Sequence, residues 1–510
     1  MASHSVQSPS AEDSKQSLSS GTVATTFRGN LDTLRRVLEY LPQQELLTMS
    51  RVSRLFRDEA CHQFLTRPIC LHGPRELLSF NQAIQWFGIS QLSLVRTLTI
   101  EHIDMNVMGD EVATAAFFEV VTNCTHLQSL ELLQCLAVIK DEARIVNTLS
   151  SFRSLTRFVV RDPFMSGPLT SIIHRAVLSM KCALKELHLP LIPYARPPLD
   201  LRALAQAQPY VKKLGDLWTL ATLDIPWLSV RTLRMTFDEG VSSAADIHAA
   251  FPNLQHLETS TRNEIDLEDY PESLEPSRHG SGWTSLLSLR SSVPVIYAMG
   301  LVSPVRDLDL DSDSYQANLH TRIIQVLGRL RPRKLTLSLF CAPRMPIAVP
   351  LNEPHILTYD AKGTGVRYLH LHISFYSHIP HNADVLLYVL PFLCHSRVKF
   401  LQLTISPYDI WGNEPEDIVN PVRTFHLDPE LAEVAEAIQV EALVQELAAP
   451  GRCPSLCALS TTIFKGEHIV WRIAREDGTH HLERLRPSDG RLLMQREHER
   501  CFLDDEEESG

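Results

Sequence analysis

Two hydrophobic periods divide the chain. Between Leu31 and Leu41 the apolar positions Leu31, Leu34, Val37, Leu38 and Leu41 return at helical spacing opposite Asp32, Arg35, Arg36 and Glu39. This predicts an amphipathic helix that Pro42 ends. Leu46, Leu47 and Met49 predict a second short helix, and Val52, Leu55 and Phe56 mark one side of a third that begins near Ser50. From Ile69 onward the template changes to Leu-x-x-Leu-x-Leu, whose alternate apolar residues point to one side of a strand. The clear cases are Val95-Leu98-Ile100, Leu127-Leu130-Leu132, Leu155-Phe158-Val160, Leu184-Leu187-Leu189, Val230-Leu233-Met235, Val305-Leu308-Leu310, Val366-Leu369-Leu371 and Val398-Leu401-Leu403. Leu254-Leu257, Leu286-Leu289, Leu335-Leu337 and Leu456-Leu459 are weaker ones. Helical patterns over 111–123, 141–152, 169–180, 244–251, 319–330 and 383–393 precede most of these strands, so the expected fold class is α/β.

Three short helices have little interior of their own and need another surface to complete them. The run LEYLPQQELLTMSRVSRLFRDEA resembles the F-box, with its Leu-Pro, its Leu-Leu helix and its Val-Ser-Arg-x-Phe-Arg. It departs from the family's Leu-Pro start, having Leu31, Asp32, Thr33 and Leu34 there. The resemblance implies that Leu34, Leu38, Leu41, Pro42, Leu46, Leu47, Val52, Ser53 and Phe56 face or frame the Skp-type adaptor of a cullin-RING ubiquitin ligase.

One Leu-x-x-Leu-x-Leu means only a buried strand, but eight in one chain are specific. Units that cannot bury their own apolar face must stack, parallel strands on one side and helices on the other. The uneven spacing resembles the irregular repeats of fungal F-box/leucine-rich-repeat proteins and implies an arc of parallel strands with outer helices. The expected organisation is a disordered tail at 1–26, an F-box-like module at 27–68 and a leucine-rich-repeat solenoid at 69–465. Insertions fall near 262–282 and 408–451, a C-terminal hairpin cap spans 466–503, and 504–510 is an acidic tail. Within the second insertion, 428–451 reads as a helix with Asp428 as N-cap and Gly451 at its stop, while 211–225 admits two registers.

Charge and composition narrow the partners. A net charge of −12 argues against nucleic-acid binding, which rests on neutralising phosphates with Lys and Arg. The ten cysteines lack the short spacing of a disulfide framework, which favours a reducing compartment. No signal-like start and no long apolar run are present, so the expected location is cytoplasmic or nuclear, without a membrane partner.

The chain has no Gly-rich phosphate loop, zinc-protease helix or Gly-x-Ser-x-Gly elbow, so no catalytic residue, cofactor or resident metal is expected. Cys453, Cys457 and His468, with His480 and His481 further on, have loose metal-ligand spacing, but core and strand roles account for them better. Asp307, Asp309, Asp311 and Asp313 alternate along a strand and read as a solvated acidic strip. Residues between the template leucines should line the concave face as a substrate-binding surface: Arg157, Arg161, Arg234, Asp307, Asp309, Asp311, Lys334, Tyr368, His370 and His372. The function expected is a non-enzymatic substrate receptor of an SCF-type ligase, its repeats holding an unknown protein substrate. The alternatives are a leucine-rich-repeat scaffold outside any ligase and a metal enzyme or hydrolase hidden in the arc.

Overall fold

The computed structural model describes residues 31–102, 110–161, 167–191, 201–217, 226–237, 241–261, 283, 286–311, 319–341, 357, 365–375, 385–386, 389–390, 393, 396–407, 438–449, 451–463, 468–476 and 479–503. The tails at 1–26 and 504–510, the insertion at 262–282 and the Asp477-Gly478 turn lie outside these residues.

Three helices open the chain: α1 (Leu31–Tyr40), α2 (Gln43–Met49) and α3 (Arg54–Thr66). Pro42 separates the first two, and the Ser53 hydroxyl accepts a hydrogen bond from the Phe56 amide at 3.3 Å, satisfying one of the orphan donors of α3. Leu34, Leu38 and Leu46 are buried together with Ala60, Cys61, Phe64 and Leu65, so part of the helical stripe is an interior seam, while Val37 of the same stripe is exposed. Two polar ties reinforce it. Arg35 grips the Glu59 carboxylate through two bonds of 2.9 Å, and Arg67 donates to the Leu38, Glu39 and Leu41 carbonyls, capping α1 from the far end of α3.

A sixteen-stranded sheet follows in strict chain order. Its strands are β1 (Ile69–His72), β2 (Thr97–Glu101), β3 (Ser129–Leu133), β4 (Arg157–Arg161), β5 (Glu186–Leu191), β6 (Lys213–Leu217), β7 (Thr232–Phe237) and β8 (His256–Thr261). Then come β9 (Ser288–Ser292), β10 (Asp307–Asp311), β11 (Lys334–Cys341), β12 (Tyr368–Phe375), β13 (Phe400–Pro407), β14 (Ala458–Ile463), β15 (Ile469–Glu476) and β16 (Thr479–Arg484). Pairing is parallel from β1 to β14, and the β14–β15 and β15–β16 pairs are antiparallel, so β15 and β16 form a terminal hairpin.

The connecting helices are α4 (Gly73–Phe87), α5 (Asp110–Asn123), α6 (Leu136–Ile139), α7 (Glu142–Ser151), α8 (Gly167–Ser179), α9 (Leu201–Ala207), α10 (Ala244–Ala250), α11 (Val293–Met299), α12 (Leu319–Leu330) and α13 (Val440–Ala448). A final helix, α14 (Pro487–Leu503), follows β16.

Register explains the leucine template. One row crosses fourteen strands without interruption, from Ile69 through Leu98, Leu130, Phe158, Leu187, Leu214, Leu233, Leu257, Leu289, Leu308, Leu335, Leu369 and Leu401 to Leu459. Every member is buried in the main core together with side chains of the connecting helices. A slip by one residue would turn a strand's leucines to the opposite face, so this row fixes the register. The backbone repeats with it: the Arg96 carbonyl accepts from Gln128 and Ser129, and the Gln128 carbonyl from Thr156 and Arg157.

Several expectations are corrected. Of the hairpin cap assigned to 466–503, the strands occupy only 469–484, and 487–503 is α14, a helix absent from the expected elements. The helix expected from Asp428 is described only as α13, from Val440, with Ile438 buried ahead of it and 428–437 outside the described residues. In the ambiguous 211–225 segment, β6 buries Leu214 and Leu217, with 218–225 outside the described residues. The described residues among 383–393 are helical.

Candidate binding surfaces

The first surface is on the helical module. Val37, Tyr40, Val52 and Leu55 are exposed, Tyr40 to 87% and Val52 to 63%, although each is large and apolar. Trp86 of α4 is 75% exposed with the Arg57 guanidinium 5.8 Å from its ring centroid. Scattered single exposures are ordinary, but this density within one short module marks a surface awaiting cover. Among the residues assigned to the adaptor from sequence, Pro42, Val52 and Ser53 are exposed, and Leu41, Leu47 and Phe56 are half-buried against the core. Leu34, Leu38 and Leu46 hold the module together from inside. Periodicity had missed Tyr40, because an exposed aromatic at a helix end breaks no pattern.

A family model for the F-box domain matches residues 30–65, which hold α1, α2 and all but the last residue of α3. The chain carries an F-box domain. F-box domains bind Skp-type adaptors in SCF complexes. No curated protein matches the sequence.

Behind the F-box lies the second surface, the sheet face opposite the leucine row. Its charges are paired across neighbouring strands. Arg157 lies 3.0 Å from Glu131 and 3.1 Å from Glu186, and Glu186 also meets His188 at 3.2 Å and Lys213 at 3.7 Å. Burial works against the Arg157 charge, but Glu131 and Glu186 more than offset it and hold its pKa above the ordinary arginine value. Gly215 leaves room for the His188 ring, which a Cβ at that position would overlap.

A second series runs from Arg234 to Glu258 at 3.6 Å, Glu258 to Arg290 at 3.8 Å and Arg290 to Asp309 at 3.5 Å, with Lys334 on Asp307 at 2.7 Å. Glu258, Arg290, Asp307, Asp309 and Lys334 line an open depression of about 240 Å³. The acidic strip expected to be solvated is half-buried at Asp307, Asp309 and Asp311, and Arg290 and Lys334 pair with it from the strands on either side. Burial, with Asp311 and Asp307 alongside, still raises the Asp309 carboxyl above its usual range against the pull of Arg290. Arg161 is half-buried at the end of β4.

The far end differs again. His370 and His372 meet Thr404 at 3.0 Å and Ser406 at 2.7 Å on the next strand. Burial lowers both rings, His370 to about 4. Tyr368, expected to line an open face, is buried in a separate apolar cluster with Phe400, Ala458, Val470 and Met494. The cause is α14, which brings Met494 across the polar face of the last strands. The loosely spaced Cys453, Cys457, His468, His480 and His481 form no ligand group among the described residues; His468 instead meets Ser460 and Thr462.

Proposed function

We propose that this chain is the substrate-recognition subunit of an SCF-type E3 ubiquitin ligase, with an F-box on the Skp-type adaptor and a leucine-rich-repeat solenoid holding a protein substrate. The observation that carries the proposal is the F-box match on a module that leaves Tyr40 and Val52 uncovered, joined directly to a long ordered sheet. Ubiquitin transfer belongs to the other subunits, and this chain supplies position. In the proposed division, 27–68 is the adaptor module, 69–465 the repeats and 466–503 the cap, with tails at 1–26 and 504–510. The complex would work in the cytoplasm or nucleus.

The substrate surface is proposed to centre on the paired charges of β7 to β11, where half-buried Arg234 and exposed Arg290 alternate with half-buried acids. A partner with alternating charge would exchange these pairs for its own, which favours specificity over raw affinity. No helix among the described residues is long and apolar enough to cross a membrane.

The test is a reconstituted ligase containing the adaptor, a cullin-RING core and proteins that co-purify with the wild-type chain. The expected result is ubiquitin transfer to a co-purifying protein, lost in the double variant Arg234→Glu, Arg290→Glu while adaptor binding persists. Adaptor binding with no transfer to any retained protein would reject the receptor role.

A further inference from the structure

Beside the F-box, at the edge of the sheet, three side chains with metal-ligand chemistry converge. Cys70 and His72 are alternate residues of β1 and so share one face, and Glu101 of β2 stands opposite His72 in register. The Cys70 Sγ lies 3.5 Å from His72 Nε2 and 3.7 Å from Glu101 Oε1, while His72 Nδ1 is 2.7 Å from Glu101 Oε2. One ligand atom from each residue falls within 4.8 Å of the others.

We propose that Cys70, His72 and Glu101 form a divalent metal site that takes zinc, clipping the edge strand β1 to β2 where the F-box joins the sheet. The geometry fits before any ion is present. Tetrahedral zinc holds sulfur at about 2.3 Å and nitrogen or oxygen at about 2.0 Å, which places such ligands about 3.5 Å apart. Thiolate, imidazole and carboxylate together favour zinc over the harder magnesium and calcium. Glu101 is only 6% exposed, and among the described residues no Lys or Arg pairs with it. His72 and Cys70 are exposed, so an ion can enter, and a fourth position is left for water or a partner's side chain.

The same three residues could instead be read as a nucleophilic Cys-His-Glu relay. The surrounding charge argues against that. Glu101 lies 3.7 Å from the Cys70 Sγ and Glu76 accepts from the His72 amide, so the surrounding is acidic, whereas an activated cysteine needs a positive one. A divalent cation relieves this negative field, and the thiol proton leaves to solvent as the metal–sulfur bond forms.

The probe is Co²⁺ added to the chelator-stripped full chain, followed by Zn²⁺ competition. One equivalent of Co²⁺ should give a thiolate-to-cobalt charge-transfer band that Zn²⁺ removes. The band should vanish in Cys70→Ser and His72→Ala, Glu101→Gln should weaken binding at least about tenfold, and Cys457→Ser, at the other exposed cysteine among the described residues, should keep the band. Circular dichroism checks that each variant is folded, and Cys70→Ser changes one exposed atom. A wild-type chain that binds neither ion, or a band that survives Cys70→Ser, would overturn the proposal. Rapid alkylation of Cys70 at neutral pH that Zn²⁺ fails to slow would also overturn it, in favour of the relay.

Discussion

Replacing His370 by Gln removes one titrating ring from the polar face while keeping a group that can meet Thr404, now 3.0 Å away. Burial lowers the ring from 6.5 to about 4, with His372 on the same strand and Lys334 on β11 adding to the effect. Above the unfolded value both states are neutral, and pH has no leverage through this group. Between the two values the unfolded chain takes up a proton that the folded chain refuses, so stability falls as pH falls across that window. Each pH unit inside the window is worth about 1.4 kcal/mol, which gives a loss of about 1.4 kcal/mol near pH 5.5 and roughly 3 kcal/mol once the folded ring also titrates. Urea unfolding followed by tryptophan fluorescence, with Trp471 buried three strands away on β15, reads this directly. Wild type and His370→Gln should show a constant stability difference above about pH 7 and converge or cross by about 1.4 kcal/mol near pH 5.5. Parallel curves through the whole range would refute the buried, neutral histidine.

Further outcomes follow from other parts of the fold. Leu38→Ala, at a fully buried position of the F-box, should cost about 2–5 kcal/mol and raise amide exchange in α1 to α3 while β10 to β13 stay protected. The Arg35 guanidinium holds the Glu59 carboxyl below its usual range, so this pair stabilises the module at neutral pH and loses its effect as pH falls below about 4.5. In Glu59→Gln that part of the acid loss should disappear from the module's melting curve. A Cβ at Gly490 would meet the Val470 side chain at 2.8 Å, so Gly490→Leu should lift α14 from the sheet. Tyr368, Phe400 and Val470 would then be uncovered, and binding of a hydrophobic dye should rise.

The strands were legible because their burial is local: alternate residues meet one core, and each Leu-x-x-Leu-x-Leu carries its own signal. Every residue of the eight clear templates is buried, from Val95 to Leu403. Helices with a strong apolar stripe, such as α12, were legible for the same reason. What escaped was set by distance along the chain. Arg290 and Lys334 neutralise Asp309 and Asp307 only through the register of β9, β10 and β11, which no single strand announces. Helix α14 presents a weak stripe in PSDGRLLMQREHERCFL, and its cover over Tyr368 depends on a docking that periodicity does not encode. The F-box leucines showed the opposite confusion. Leu38 and Leu46 carried the family pattern, yet burial within the chain and exposure to a partner leave the same apolar letter in the sequence.

Adaptor binding by the full chain is the property that decides its role. A purified Skp-type adaptor is titrated by calorimetry into wild type and into the double variant Tyr40→Ala, Val52→Asp, whose substituted side chains are 87% and 63% exposed. Because these positions support little of the fold, the melting temperature should hold, whereas loss of two interface anchors at about 2 kcal/mol each should weaken binding by well over tenfold. Wild type that fails to bind the adaptor, or a folded double variant that binds it as tightly as wild type, would contradict the account.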